Sequence, residues 1–224
     1  MVLITPHKII RSKRKTIALQ VNSEAELIVR IPMRLSLSYV EKIIHQKHDW
    51  IIKKQSEITK AVNKFTTKTF QDSEEFLYLG ISYKLKFAEN QKTTLIFNNE
   101  FSIPLNEEIF AKLILTKWYK IAALSHITNR VEFYSKQMGL DYKSLQLSNA
   151  KTLWGTCSSD NKLSFSWRLI MAPTDVIDYV VVHELSHIVH KNHSKQFWSK
   201  VANTIPLYKA DQKWLKQNGY LLHW

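Results

Sequence analysis

The residues with the clearest chemical potential lie in one short stretch, Val180-Val181-Val182-His183-Glu184-Leu185-Ser186-His187. Two histidines four apart, with a glutamate directly after the first, form the H-E-x-x-H pattern of zinc hydrolases. On a helix, residues four apart are stacked one turn up, so both imidazoles can reach one ion at the usual zinc to nitrogen distance of about 2.0 to 2.1 Å. Glu184 is turned about 100° from His183, too far to be the natural third ligand but close enough to reach a water held on the metal. A carboxylate there can take that water's proton and later pass it to a leaving amine. With 9 His and 12 Glu in 224 residues, chance supplies about 0.02 such matches, so coincidence explains the motif poorly. Packing alone explains it no better, because an unpaired Glu184 buried among the flanking apolar residues would be costly.

A catalytic zinc normally takes three protein ligands and leaves one position for water, so one more residue is needed. His190 is seven after His183 and lies within about 20° of it on a continuous helix. His193, six after His187, reaches the same point only if the helix stops first. Asn192 tolerates the left-handed conformation that ends helices, so Lys191-Asn192 reads as the stopping point and His193 as the third ligand, in preference to His190. The extended H-E-x-x-H-x-x-G-x-x-H pattern also places its third ligand at His193, although His190 stands where that pattern has Gly.

These groups need elements to carry them. Pro173-Thr174-Asp175 opens the motif helix, with Asp175 and Asp178 near its positive end. Ahead of it, Leu163, Phe165, Trp167 and Leu169 alternate with polar residues and join Leu145 and Leu147 as a hairpin through Ser158-Ser159-Asp160-Asn161. The strand over 163–169 is a candidate sheet edge for pairing with an extended peptide. A long helix over 107–138, capped by Asn106 and closed by Gly139, keeps one apolar face from Phe110 to Met138. Upstream, Phe76 to Phe87 and Thr93 to Ile103 read as strands, and 61–75 as a polar connection. Ile17, Leu19, Val21 and Leu27, Val29, Ile31 form a first hairpin about a turn at Asn22–Ala25, and Ser38 with Glu41 caps a helix over 38–60.

Other polar residues have weaker claims. Cys157 could be a nucleophile or a fourth ligand, but a lone thiol is more often buried and inert. Arg168 and Tyr208 are candidate oxyanion stabilisers. His45 and His48 lack an acid partner and read as exposed. Trp198, Trp214 and Trp224 read as core or lid aromatics over the motif helix.

Composition bounds the rest. A chain that is 45% hydrophobic, with 7 Trp but 4 Gly and 5 Pro, is neither disordered nor low-complexity. One cysteine excludes an intrachain disulfide and fits a reducing compartment. The first ten residues are too short in apolar run for a signal peptide, and Ile109 to Ile127 is broken by Lys112, Lys117, Lys120 and His126, so a cytoplasmic protein without a membrane span is expected. Net charge is +13, and residues 1–70 hold 14 basic against 5 acidic side chains. That excess fits a solvated lysine-rich face, or alternatively a nucleic-acid partner; the count of only six Arg argues for the former.

The segments Trp154-Gly155-Thr156-Cys157-Ser158, Trp167-Arg168-Leu169-Ile170-Met171-Ala172-Pro173, Val176 to His187, Asn192-His193-Ser194 and Phe197-Trp198 resemble the YgjP-like metallopeptidase family. Arg14-Lys15, Trp50-Ile51 and Tyr78-Leu79-Gly80 extend the resemblance over most of the chain. It implies zinc at His183, His187 and His193, with Glu184 as catalytic acid/base, and a protein or peptide substrate. Thr156, Leu153 and Ser166 depart from the family's usual Ser, basic residue and Asn, none of them at an implied ligand. The related SprT-like proteases are associated with DNA, which by analogy favours nucleic acid as a partner of the basic region. The expected architecture is α+β: a basic, β-rich region with one long helix over 1–105, then a zincin-like metallopeptidase domain over 106–224.

Overall fold

The computed structural model describes residues 4–22, 25–64, 68–151 and 153–224, the side chains of 60–64 excepted. They form two compact units, Met1–Thr67 and Lys68–Trp224, in a mixed α+β architecture with three small sheets.

In the first unit, β1 (Lys8–Ser12), β2 (Ala18–Val21) and β3 (Leu27–Pro32) lie in the order β1-β3-β2. The expected hairpin forms, with Leu19 opposite Val29, and β1 adds to β3 in parallel. Residues 23 and 24 of its turn lie outside the described residues. Alternation puts Leu27, Val29 and Ile31 inside, where they pack with Val40, Ile44 and Ile51 of two helices. Those helices replace the single one expected over 38–60: α1 (Leu37–Gln46) and α2 (His48–Lys64) break at Lys47, whose N–H bonds both Ile43 and Ile44 carbonyls. Ser36, not Ser38, is the cap, and Asp49 supplies the first-turn charge of α2. His48 is half-buried, its Nδ1 3.1 Å from Asp49 Oδ1, so it has the acid partner the sequence reading denied it. Arg11 donates to the carbonyls of Met33 and Leu35 at 2.8 and 2.9 Å, so its charge braces this fold.

The second unit opens with β4 (Glu75–Tyr78), β5 (Ile81–Ala88), β6 (Ile96–Phe97) and β7 (Phe101–Pro104), ordered β4-β5-β7-β6. The polar connection expected over 61–75 is partly helical, since α2 runs to Lys64, and residues 65–67 lie outside the described residues. A 3-10 turn, Leu105–Phe110, precedes α3 (Ala111–Met138), so Asn106 is not its cap, whereas Gly139 closes it as expected with φ 63° and ψ 43°. Phe76, Leu85, Phe101 and Ile103 share one core with Leu115, Tyr119, Ile127 and Val131 of this helix. The boundary therefore falls at 67/68 rather than 105, because the apolar side of these strands is buried against α3.

Next come β8 (Ser144–Ser148), β9 (Gly155–Cys157) and β10 (Lys162–Ser166), ordered β8-β10-β9. The hairpin through Ser158–Asn161 joins β9 to β10, while β8 pairs with β10 in parallel. Residues 167–171 are a buried 3-10 turn rather than a continuing strand. It is held by the β4–β5 turn, where Leu79 N and Gly80 N donate to Ile170 O and Met171 O at 2.9 and 3.2 Å. Gly80 has φ +81° and a Cβ there would meet Pro173 Cγ at 2.8 Å, so only glycine lets this turn lie against the start of the next helix.

That helix is α4 (Thr174–Val189), followed by α5 (Lys195–Thr204) and α6 (Tyr208–Asn218). Val176, Ile177, Val180, Val181, Val182 and Leu185 are buried on all its sides, which makes it the central element of the unit. Arg130 of α3 clamps it, with Nε and Nη2 at 2.5 and 2.6 Å from the two oxygens of Asp178, to which Tyr134 also donates. Arg130→Ala strands that buried carboxylate and should cost about 3 kcal/mol, at the low end for a broken buried pair because Arg130 is partly exposed. Urea denaturation measures it as a lower midpoint at constant slope; a change under about 1 kcal/mol would mean that the clamp is dispensable. Among the described residues, no helix is long and apolar enough to cross a membrane.

Candidate metal centre and active site

His183 and His187 stand one turn apart on α4 with ring centroids 5.0 Å apart. The helix ends at Val189. His190, at φ −120° and ψ 97°, has already left it, although its N–H still bonds Ser186 O at 3.0 Å. The stop thus comes two residues before Asn192, which has no left-handed φ. Extended backbone at His190, not an asparagine turn, starts the path that returns His193 to the helix. His193 Nε2 lies 3.0 Å from His183 Nε2, and its ring is 4.8 Å from that of His187. One ligand nitrogen from each of the three lies within 4.8 Å of the others.

His190 takes a different part. It stands outside the histidine cluster and lines a hollow on α5 with Lys195, Gln196 and Ser199. Its carbonyl oxygen accepts from His187 Nδ1 at 3.0 Å, which fixes that ring's tautomer and leaves Nε2 with its lone pair toward the cluster. Ser194 caps α5 by accepting from Phe197 N at 3.4 Å, so the chain turns immediately after His193. Phe197, fully buried, floors the cluster with its ring 4.5 to 4.9 Å from all three imidazoles. Trp198 stacks on His193 at 5.6 Å, and Tyr208 stacks on Trp198 at 5.3 Å.

Burial, then the neighbouring imidazoles, pushes His183 down to about 3, and burial also lowers His187. Both are neutral at pH 7 and offer lone pairs. Two ring nitrogens facing each other at 3.0 Å can share only one proton, and His183 Nδ1 is buried without a partner. Three imidazole nitrogens held this close, two of them on rings that burial keeps neutral, fit a divalent cation, and imidazole suits zinc among the common ones.

Glu184 is 6% exposed, and burial alone raises its carboxyl to about 8. It lies against β9: a Cβ on Gly155 would meet Glu184 Cγ at 2.6 Å and Oε1 at 2.8 Å. Gly155 is thus required for a close approach, the role a glycine inside a strand often has, and the sequence reading gave it none. Gly155→Ala should push the carboxylate aside by about an ångström and lower kcat/KM on peptides about 100-fold at unchanged metal content. Steady-state assays with metal analysis check this, and full activity in the variant would show that Glu184 need not lie where it does.

Among the described residues β9 pairs only with β10, so it carries the free edge beside Glu184, whereas the strand expected to be the edge, now Lys162–Ser166, sits in the middle of the sheet. Cys157 is half-buried with its thiol raised by burial, and stands outside the histidine cluster. Arg168 is buried over Trp167 with Nη1 on Asn149 O at 3.0 Å. Tyr208 stacks on Trp198 and Tyr179, which lie against His193 and His183 in turn. Tyr179, which the sequence reading passed over, packs edge-on against His183 at 5.8 Å and is raised to about 12 by burial. Its place four residues before His183, on the same helix face, was the available signal.

The family model described as "YgjP-like, metallopeptidase domain" matches residues 15–218. No curated protein matches the sequence. Among solved structures, the metallopeptidase zymogen abylysin of Pyrococcus abyssi is similar at 16% identity and a TM-score of 0.38, over 41% of this chain and 93% of that one.

Proposed function

The chain belongs to the YgjP-like metallopeptidase family, and from that premise we propose that it is a zinc-dependent hydrolase of peptide bonds, with metal at His183, His187 and His193 and Glu184 as general base and acid. The observation that carries the reading is the convergence of three imidazoles beside one buried carboxylate. Zinc, when bound there, supplies Lewis acidity that polarises the scissile carbonyl and makes water easier to deprotonate. The protein does the rest. His190 O holds His187 in one tautomer, and Phe197 keeps the far side of the cluster dry. The free edge of Gly155–Cys157 offers backbone N–H and C=O groups to an extended peptide, so the scissile bond lies over Glu184. Glu184 takes a proton from the attacking water on a carboxylate oxygen and returns it to the departing amine. Burial raises the carboxylate's affinity for that proton, which strengthens it as a base toward the water and leaves it an acid for the amine.

Removal of metal is the direct test. Chelator-stripped protein should lose more than about 99% of its cleavage of a peptide library and regain it with equimolar Zn2+. Undiminished cleavage by protein shown to be metal-free would refute a metal-dependent mechanism.

A further inference from the structure

Arg168 carries a buried positive charge without a negative partner. It is 8% exposed, yet its guanidinium makes one hydrogen bond, from Nη1 to the Asn149 carbonyl at 3.0 Å, and lies over the Trp167 ring at 4.4 Å. Its Nε is buried without any acceptor, and among the described residues no carboxylate pairs with it. Arg130 shows how this protein otherwise treats such a group: it too lies against aromatic rings, Phe133 and Tyr134, but both its Nε and Nη2 are taken by Asp178. A permanently charged fork left with open donors in a desolvated place lacks an anion.

A second polar group stands nearby with a ring nitrogen left unfilled. His223 has its Nδ1 buried without a partner and its ring stacked on Trp154 at 5.6 Å and 16°. Burial, then the charges of Arg168 and Lys151, lower its proton affinity. Trp154 ties this cluster to the candidate active site. Its carbonyl accepts from Ser166 N at 3.0 Å, two residues before Arg168, and the next residue is Gly155, which lies on Glu184. The uncompensated charge therefore sits at the N-terminal end of β9, the strand whose free edge can take an extended chain.

We propose that Arg168 and His223 form a carboxylate-binding subsite for the peptide substrate, one that receives an Asp or Glu side chain or a free C-terminus of a chain paired to β9. This rests on the peptidase reading, and it adds the substrate's charge. The planar, paired donors of Arg168 suit a carboxylate, and Trp154 walls the subsite on the side of His223. The cluster selects anionic peptides because only these fill its open donors.

A proteome-derived peptide library, digested by the zinc-loaded protein and read by mass spectrometry, tests the subsite. We expect Asp and Glu enriched about tenfold at one fixed position from the scissile bond, or cuts at a fixed distance from the C-terminus that disappear on amidation, the first identifying a side chain and the second a terminus. Arg168→Gln and His223→Gln should each bring that enrichment close to unity. Because Arg168→Gln removes a buried charged group, its fold is checked by a melting curve, and the half-buried His223→Gln provides the second reading. A library cut without preference for acidic positions or C-termini, or a preference that survives in both folded variants, overturns the subsite. If the wild type cuts nothing, peptides retained by the immobilised zinc-loaded protein are sequenced instead. Carboxylate enrichment there upholds the subsite while the missing cleavage counts against the peptidase reading, and unbiased retention overturns the subsite.

Discussion

Glu184→Gln is expected to reduce kcat on a peptide substrate about 10³-fold while metal content and melting temperature hold. Glutamine preserves the shape that fits against Gly155 and the hydrogen-bonding capacity of the oxygen, but it cannot accept a proton from water at neutral pH. It also removes an acid whose ionisation burial opposes, so the folded state loses nothing by the change. A variant with full kcat would take the carboxylate out of the reaction. One that lost its metal instead would make Glu184 a ligand, a role for which its place outside the histidine cluster leaves no need.

The next largest effect is expected at the third imidazole. His193→Ala should weaken zinc affinity by at least about 100-fold, since even the partners that merely orient ligands are worth 10- to 100-fold. His190→Ala should change it little, because the alanine keeps the backbone carbonyl that holds His187 and loses only a ring outside the histidine cluster. Competition with a chromophoric chelator measures both. Equal losses in the two variants, or a larger one at His190, would reverse the assignment. The contrast matters because both histidines follow the motif at spacings a helix or a break could use.

What could be read before the structure was mostly local. The pairing of His183 with His187 follows from one helical turn, the end of α3 from Gly139, and the first hairpin from strict alternation in Leu27, Val29 and Ile31. That His193 rather than His190 comes to the two helix histidines was also legible, though on the wrong ground: the helix stops at His190 through its own extended backbone, and Asn192 takes no left-handed turn. Features that depend on distant partners were hidden. Whether β9 or β10 forms the sheet edge is decided by β8, which pairs with β10 across thirteen intervening residues. The division at 67/68 depends on β5 and β7 burying Leu85, Phe101 and Ile103 in the core they share with α3. Two signals were present and unused: a glycine within a strand next to a motif tryptophan, and an aromatic residue one turn ahead of the first histidine.

Diffraction from crystals grown with zinc, recorded on both sides of the zinc absorption edge, examines the three-histidine centre itself. A single anomalous peak about 2.0 to 2.1 Å from Nε2 of His183, His187 and His193, with the His190 ring clear of it, is the expected result. Zinc held by a different set of side chains, or no peak at saturating zinc, would contradict it.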